Sequence, residues 1–156
     1  MDKHKIINEL IVLVQDELQK AEEAFASTNA LATEGDVKQE SKYDTRGIEA
    51  GYLAGAQKKR VEELKFDLHK LEELLHFEFK QTDEVVLGSI VTVDMGKMKR
   101  TYFISPSFGG VHLNEQGRDL HVITPVSPVG EAMLGLSEGD EFEFDSSKNY
   151  TILKIN

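Results

Sequence analysis

Phe79-Lys80-Gln81-Thr82-Asp83, followed by Val86-Leu87-Gly88-Ser89-Ile90-Val91-Thr92-Val93, is the stretch on which the fold of this 156-residue chain turns. Upstream of it, apolar side chains recur every three or four residues. Here that period stops and β-branched residues crowd into a run of strand character. A helical part therefore ends and a sheet part begins near residue 80. The expectation is two small domains, a helical one over residues 1–80 and a sheet domain over residues 81–156.

Working back from this boundary, Ala54, Gln57, Val61, Leu64, Leu68, Leu71 and Leu75 alternate steps of three and four, the seam of a coiled coil. Further upstream, Ile7, Leu10, Val14, Leu18, Ala21, Phe25, Thr28 and Ala32 repeat the period, which predicts a first helix over about residues 3 to 33. Two such helices joined by a short bend pack antiparallel, and a helix of about 30 residues rises roughly 45 Å. The bend falls near residues 34–44, where Glu34, Asp36, Glu40 and Asp44 gather around Gly35. Towards it the sequence is rich in small residues: Ala24, Ala26, Ala30 and Ala32 on the first helix, Gly47, Gly51 and Gly55 on the second. The glycine series is read as a close approach of the two helices, at a cost of about 1 kcal/mol for each interior glycine. The alternative is a narrow or yielding tip that enters a confined space.

Downstream, further strands are expected at Arg100 to Ile104, Val111 to Leu113 and His121 to Thr124, with turns at Gly96, Pro106, Gly109-Gly110 and Gly117. Short links imply a mostly antiparallel sheet. Ser127 can cap a short helix, Pro128 suits its first position and Gly135 its end. Gly139-Asp140 turns the chain towards Phe142 and Phe144, and Tyr150 to Ile155 forms a closing strand.

With 18 Lys plus Arg against 28 Asp plus Glu, the formal charge is -10, which disfavours simple binding along nucleic acid. There is no cysteine, so disulfides and thiolate zinc sites are excluded within this chain. No signal peptide is read at the N-terminus, and no stretch approaches the roughly 18 uncharged residues of a membrane span. A cytoplasmic monomer is the expectation.

Several residues carry both a structural and a chemical reading. Asp36 followed by Gln39 fits a capping box, with Gly35 ending the helix before it. Glu34, Glu40 and Asp44 read as solvated acids. His69 and His76, seven apart with Glu72 and Glu73 between them, could form a helical metal site or be plain stalk residues. Lys58, Lys59 and Arg60 fit either a partner contact or interhelical pairing. Ser127-Pro128 lacks the surroundings of a nucleophile and is explained by a helix start.

The anchors Val86 to Val93, Ser127-Pro128-Val129-Gly130 with Leu134-Gly135, Glu138-Gly139-Asp140 and the Tyr150 to Ile155 strand, in this order, resemble the Gre family of bacterial transcript-cleavage factors. Gly35-Asp36-Val37-Lys38-Gln39-Glu40-Ser41-Lys42-Tyr43 stands where members of that family have Gly-Asp-Leu-Lys-Glu-Asn-Ala-Glu-Tyr. The resemblance covers about residues 20 to 156. It implies an α+β chain: a long antiparallel coiled-coil hairpin, then a small FKBP-like antiparallel β-sheet domain with one short helix. The implied partner is RNA polymerase, with the hairpin inserted in its secondary channel and the C-terminal domain on the channel rim.

In the family, acids at the tip help to hold a magnesium ion and water in the polymerase active centre, so that backtracked RNA is cut by the polymerase itself. Magnesium suits this task because it favours carboxylate oxygen and keeps several waters. The factor has no cofactor of its own; the magnesium belongs to the polymerase, and the 3′ end of nascent RNA is a further contact. Carried over by residue, Asp36 is the first tip acid, and it would meet metal only within the polymerase complex. The second falls on Gln39, an amide without charge, with Glu40 as a possible substitute displaced by about 100° on a helix. Tyr43 packs across the hairpin or contacts the polymerase. Lys58, Arg60, Ser127, Pro128 and Gly130 are candidate partner contacts.

Three functions follow from these readings. The first is a polymerase-binding factor that modulates elongation or stimulates cleavage, or, with Gln39 in place of the acid, a non-cleaving competitor for the channel or regulator of initiation. The second is an FKBP-like prolyl isomerase or chaperone, which would need Phe103, Phe108, Phe142 and Phe144 to converge on one cleft. The third is a coiled-coil adaptor.

Overall fold

The computed structural model describes residues 1–37, 46–145 and 148–156, with backbone only for 34–37. The chain divides into two compact units, one made of Ile11–His69 and one of Met1–Leu10 together with Lys70–Asn156.

The first unit is a pair of helices, α1 (Lys3–Val37) and α2 (Arg46–Leu75), whose ends extend into the other unit. The expected seam is the buried one. Val14, Ala54, Val61 and Leu64 are buried, and Leu18, Ala21, Phe25, Thr28, Gln57 and Leu68 are half-buried, while residues between them face solvent. Arg60 reaches Glu17 at 2.9 Å and Lys65 reaches Glu22 at 3.1 Å, so ion pairs between the two helices flank the seam.

Two expectations fail here. The first helix runs on to Val37 rather than stopping near residue 33, so Gly35 does not end it and Asp36 lies inside its last turn rather than capping a new helix. Propagating a long helix costs little per residue, which lets it absorb one glycine. The glycine series is not a close approach: a Cβ at Gly51 or Gly55 would meet nothing within 4 Å. The small residues on the inner face are Gly47, Ala50 and Ala54. Those three, and not Gly51 and Gly55, continue the three-four seam.

The second unit holds a six-stranded sheet of order β3-β4-β2-β1-β6-β5. Its strands are β1 (Ile90–Asp94), β2 (Lys99–Ile104), β3 (His112–Glu115), β4 (Arg118–Ile123), β5 (Glu141–Phe142) and β6 (Tyr150–Ile155). Four of the five pairings are antiparallel, as the short links imply; β2 and β4 run parallel. The exception arises because the chain leaving β2 first lays down the edge strand β3. It then returns through the two-residue turn Gln116-Gly117, both at positive φ (57° and 77°), as the twist of a tight hairpin requires. β1 begins at Ile90 rather than Val86, because Gly88 (φ 79°) makes a turn in which the Ser89 hydroxyl accepts a bond from the Val86 amide.

One face of the sheet presents Val91, Val93, Tyr102, Ile104 and Ile152, which form a core with Val85, Met133, Phe142 and Tyr150. The short helix α3 (Pro128–Met133) supplies Met133, Val129 and Ala132 to this core. The other face carries Ile90, Phe103, Leu113, Leu120 and Val122, all buried. Lys5, in the first turn of α1, reaches this face at Glu115 (2.7 Å), a glutamate with only 1% of its side chain exposed. Among the described residues, no helix is long and apolar enough to cross a membrane.

Candidate functional site

The Ser127-Pro128-Val129-Gly130 motif is a capped helix start of unusual tightness. The Ser127 hydroxyl donates to the Thr124 carbonyl at 2.7 Å and accepts from the Gly130 amide at 3.2 Å. The Thr124 carbonyl also takes the Ser127 amide at 3.0 Å. Gly130 is required here because a Cβ would stand 2.1 Å from that carbonyl. Ser127 is thus occupied in holding the loop and is not a nucleophile. The result is a rigid loop that turns Val126 (88% exposed) and Pro128 out to solvent beside each other. Nothing in the sequence marks Val126; its exposure comes from the cap pulling Ser127 inward.

At the other end of α3, Leu134 and Gly135 border an apolar cleft of about 790 Å³, also lined by Phe77, Phe79, Val85 and Leu87. Its floor is ordered by aromatic contacts. The Phe79 ring lies where a Gly88 side chain would be, at 2.3 Å from the virtual Cβ, and takes the edge of His4 at 5.5 Å and of Phe77 at 5.8 Å. The Lys3 ammonium sits 4.9 Å above the Phe79 ring, and partial burial holds its pKa below the usual lysine value. Nothing in the sequence marks this cleft, because at Phe79 the helical period simply stops.

The remaining candidates are dispersed. Gln39, Glu40 and Tyr43 lie outside the described residues, and of Asp36 only its backbone place in the last turn of α1 is described. Arg60 is engaged with Glu17 and lies 3.9 Å from Glu63, and Lys59 also lies 3.9 Å from Glu63, while Lys58 is exposed. The pairing role of this run is therefore realised on the helices. His69 is an exposed residue of α2, whereas His76 lies just past the end of that helix. No three His, Cys, Asp or Glu side chains gather for a metal among the described residues.

The four phenylalanines needed for an isomerase cleft do not converge. Phe142 and Phe144 stack with Tyr150 on the α3 side of the sheet, while Phe103 is fully buried on the opposite face. Tyr150 donates to Asp145 at 2.8 Å, and that bond raises its pKa.

Residues 80–156 match the family model described as transcription elongation factor, GreA/GreB, C-terminal domain. No curated protein matches the sequence. Among solved structures, the chain is similar to the GreA factor homolog 1 (Gfh1) protein of Thermus thermophilus at 20% identity, covering 94% of each chain with a TM-score of 0.37. It is also similar to Gfh1 of Thermus aquaticus at 21% identity, covering 91% of this chain and 90% of that one with a TM-score of 0.38. The matched span contains all six strands, the α3 cap and its exposed loop, so residues 80–156 form a C-terminal domain of the GreA/GreB transcription elongation factor type.

Proposed function

We propose that this protein binds bacterial RNA polymerase through its C-terminal unit and carries its hairpin bend into the secondary channel. There it occupies the route to the active centre and stimulates RNA cleavage weakly or not at all. The observation that carries the reading is the family match of residues 80–156, which includes the rigid Ser127-Pro128-Val129-Gly130 loop. A loop with its polar groups satisfied internally and two apolar side chains turned outward is suited to docking, since it loses little entropy on binding.

The cleavage part of the reading rests on composition at the bend. Asp36 supplies one carboxylate, whereas Gln39 contributes an oxygen without charge. The magnesium and the hydrolytic step belong to the polymerase; the factor's own part is to hold or fail to hold one of the ligands. On this reading it works in the cytoplasm, as a monomer, as a modulator rather than an enzyme.

The docking half is tested by binding to core polymerase with Val126→Asp and Pro128→Ala, both at exposed positions, with circular dichroism checking the fold of each variant. Weakening by tenfold or more supports the loop as a contact. Wild-type affinity in both variants would move the contact elsewhere on the unit, and no binding by the wild type would remove the reading.

A further inference from the structure

We infer that His112 and His121 form a two-imidazole site for a borderline divalent transition ion such as Zn²⁺, on the open edge of the sheet. The two residues are direct partners across the antiparallel pair β3–β4, so their side chains leave the same face side by side. Their ring centroids are 4.4 Å apart with planes at 79°. Two imidazoles sharing one ion, at a Zn–N distance of about 2.0–2.1 Å and a near-tetrahedral angle, have centroids roughly 5 Å apart. The observed edge-to-face pair is closer than that arrangement, and a side-chain rotation that parts the rings would bring both onto one ion. His112 is exposed and free to make the rotation, while His121 is half-buried and held beside Tyr102, whose ring centroid is 5.7 Å away. His121 is thus the fixed ligand and His112 the closing one.

Burial first, then His112 and Arg100, hold the pKa of His121 below the usual histidine value, with Asp119 acting in the opposite sense. The groups that face the pair are Arg100 and Tyr102 from β2, Asp119 from β4 and Asn114 from β3. Asn114 lies 3.5 Å from Asp119. No third protein ligand completes the site among the described residues. The ion would keep open positions for water or for a donor from a partner. Imidazole selects zinc, nickel or copper, and the absence of a carboxylate cage disfavours magnesium and calcium. Bound metal would also tie the edge strand β3 to β4. The site is independent of the tip and of the docking loop.

The test is calorimetric titration of the full chain with Zn²⁺, and separately with Mg²⁺, at pH 7.5 and 5.5. It compares wild type with His112→Asn, His121→Gln and the helix control His69→Asn/His76→Asn. We expect one Zn²⁺ per chain at pH 7.5, at least tenfold weaker binding in either sheet variant, unchanged binding in the helix control, and at least tenfold weaker binding at pH 5.5. Histidine side-chain NMR signals of residues 112 and 121 should shift together on Zn²⁺ addition. Wild-type affinity in His112→Asn overturns the site, and because His112 is exposed that variant keeps its fold. Absence of Zn²⁺ binding at millimolar concentration, or equal binding of Mg²⁺, overturns it as well.

Discussion

The same substitution, glycine to alanine, should have opposite effects at two places in this molecule. At Gly51 and Gly55 an added Cβ meets nothing within 4 Å and the backbone is already helical, so alanine removes a propensity cost of about 1 kcal/mol at each position. The double variant should therefore be stabilised by about 2 kcal/mol, a rise in Tm of roughly 4–8 °C for a chain of this size. At Gly130 the Cβ would stand 2.1 Å from the Thr124 carbonyl oxygen and 2.9 Å from the Ser127 hydroxyl. Relieving that overlap costs about 1–3 kcal/mol, and moving the carbonyl loosens the Ser127 cap by about 1 kcal/mol more. Gly130→Ala should lose about 2–4 kcal/mol. Urea and thermal unfolding followed by circular dichroism at 222 nm measure both, with each transition fitted separately if the two units melt apart. A destabilised Gly51→Ala/Gly55→Ala protein, or a Gly130→Ala protein within about 0.5 kcal/mol of wild type, would refute the steric reasoning.

Three further outcomes are expected. Gly88→Ala, where φ is 79° and the Phe79 ring occupies the space, should expel Phe79 and be detected as faster proteolysis of the segment around residues 77–82. The Arg60–Glu17 pair, with both side chains about half exposed, should show a coupling of at most about 1 kcal/mol in a double-mutant cycle, disappearing at 1 M salt. For His121 the folded pKa lies below the unfolded one, so the unfolded chain binds more protons. Stability should fall as pH drops through about 6.5, the unfolded histidine value. His121→Gln should flatten that part of the pH profile, and an unchanged slope would contradict the shift.

The helix seam, the α3 cap and most strands were legible because each is written in local chemistry: a three-four period, a Ser-Pro start, β-branched runs between turn residues. What could not be read depends on the third dimension. The seam's period says which residues face inward, but the outward direction of Gly51 and Gly55 follows only once Gly47, Ala50 and Ala54 are seen to carry that face. The parallel β2–β4 pairing is invisible locally because it depends on β3 lying at the edge. The exposed apolar surface of the sheet unit was missed for a related reason. Ser127 and Pro128 have a recognisable spacing, whereas the exposure of Val126 and the cleft beside Phe77 and Leu134 arise from the way distant segments leave apolar atoms uncovered. The acids of the bend were legible only as composition, and their arrangement lies outside the described residues.

The central claim is a polymerase-binding factor whose tip holds one family acid and lacks the second. It is tested most directly on stalled, backtracked RNA polymerase, by measuring factor binding and 3′ RNA cleavage in one experiment with wild type, Asp36→Asn and Gln39→Glu. The account predicts binding by all three, weak or absent cleavage with wild type, none with Asp36→Asn, and a gain with Gln39→Glu. Strong cleavage by the wild type would contradict the role assigned to Gln39, and failure of the wild type to bind the polymerase would contradict the account as a whole.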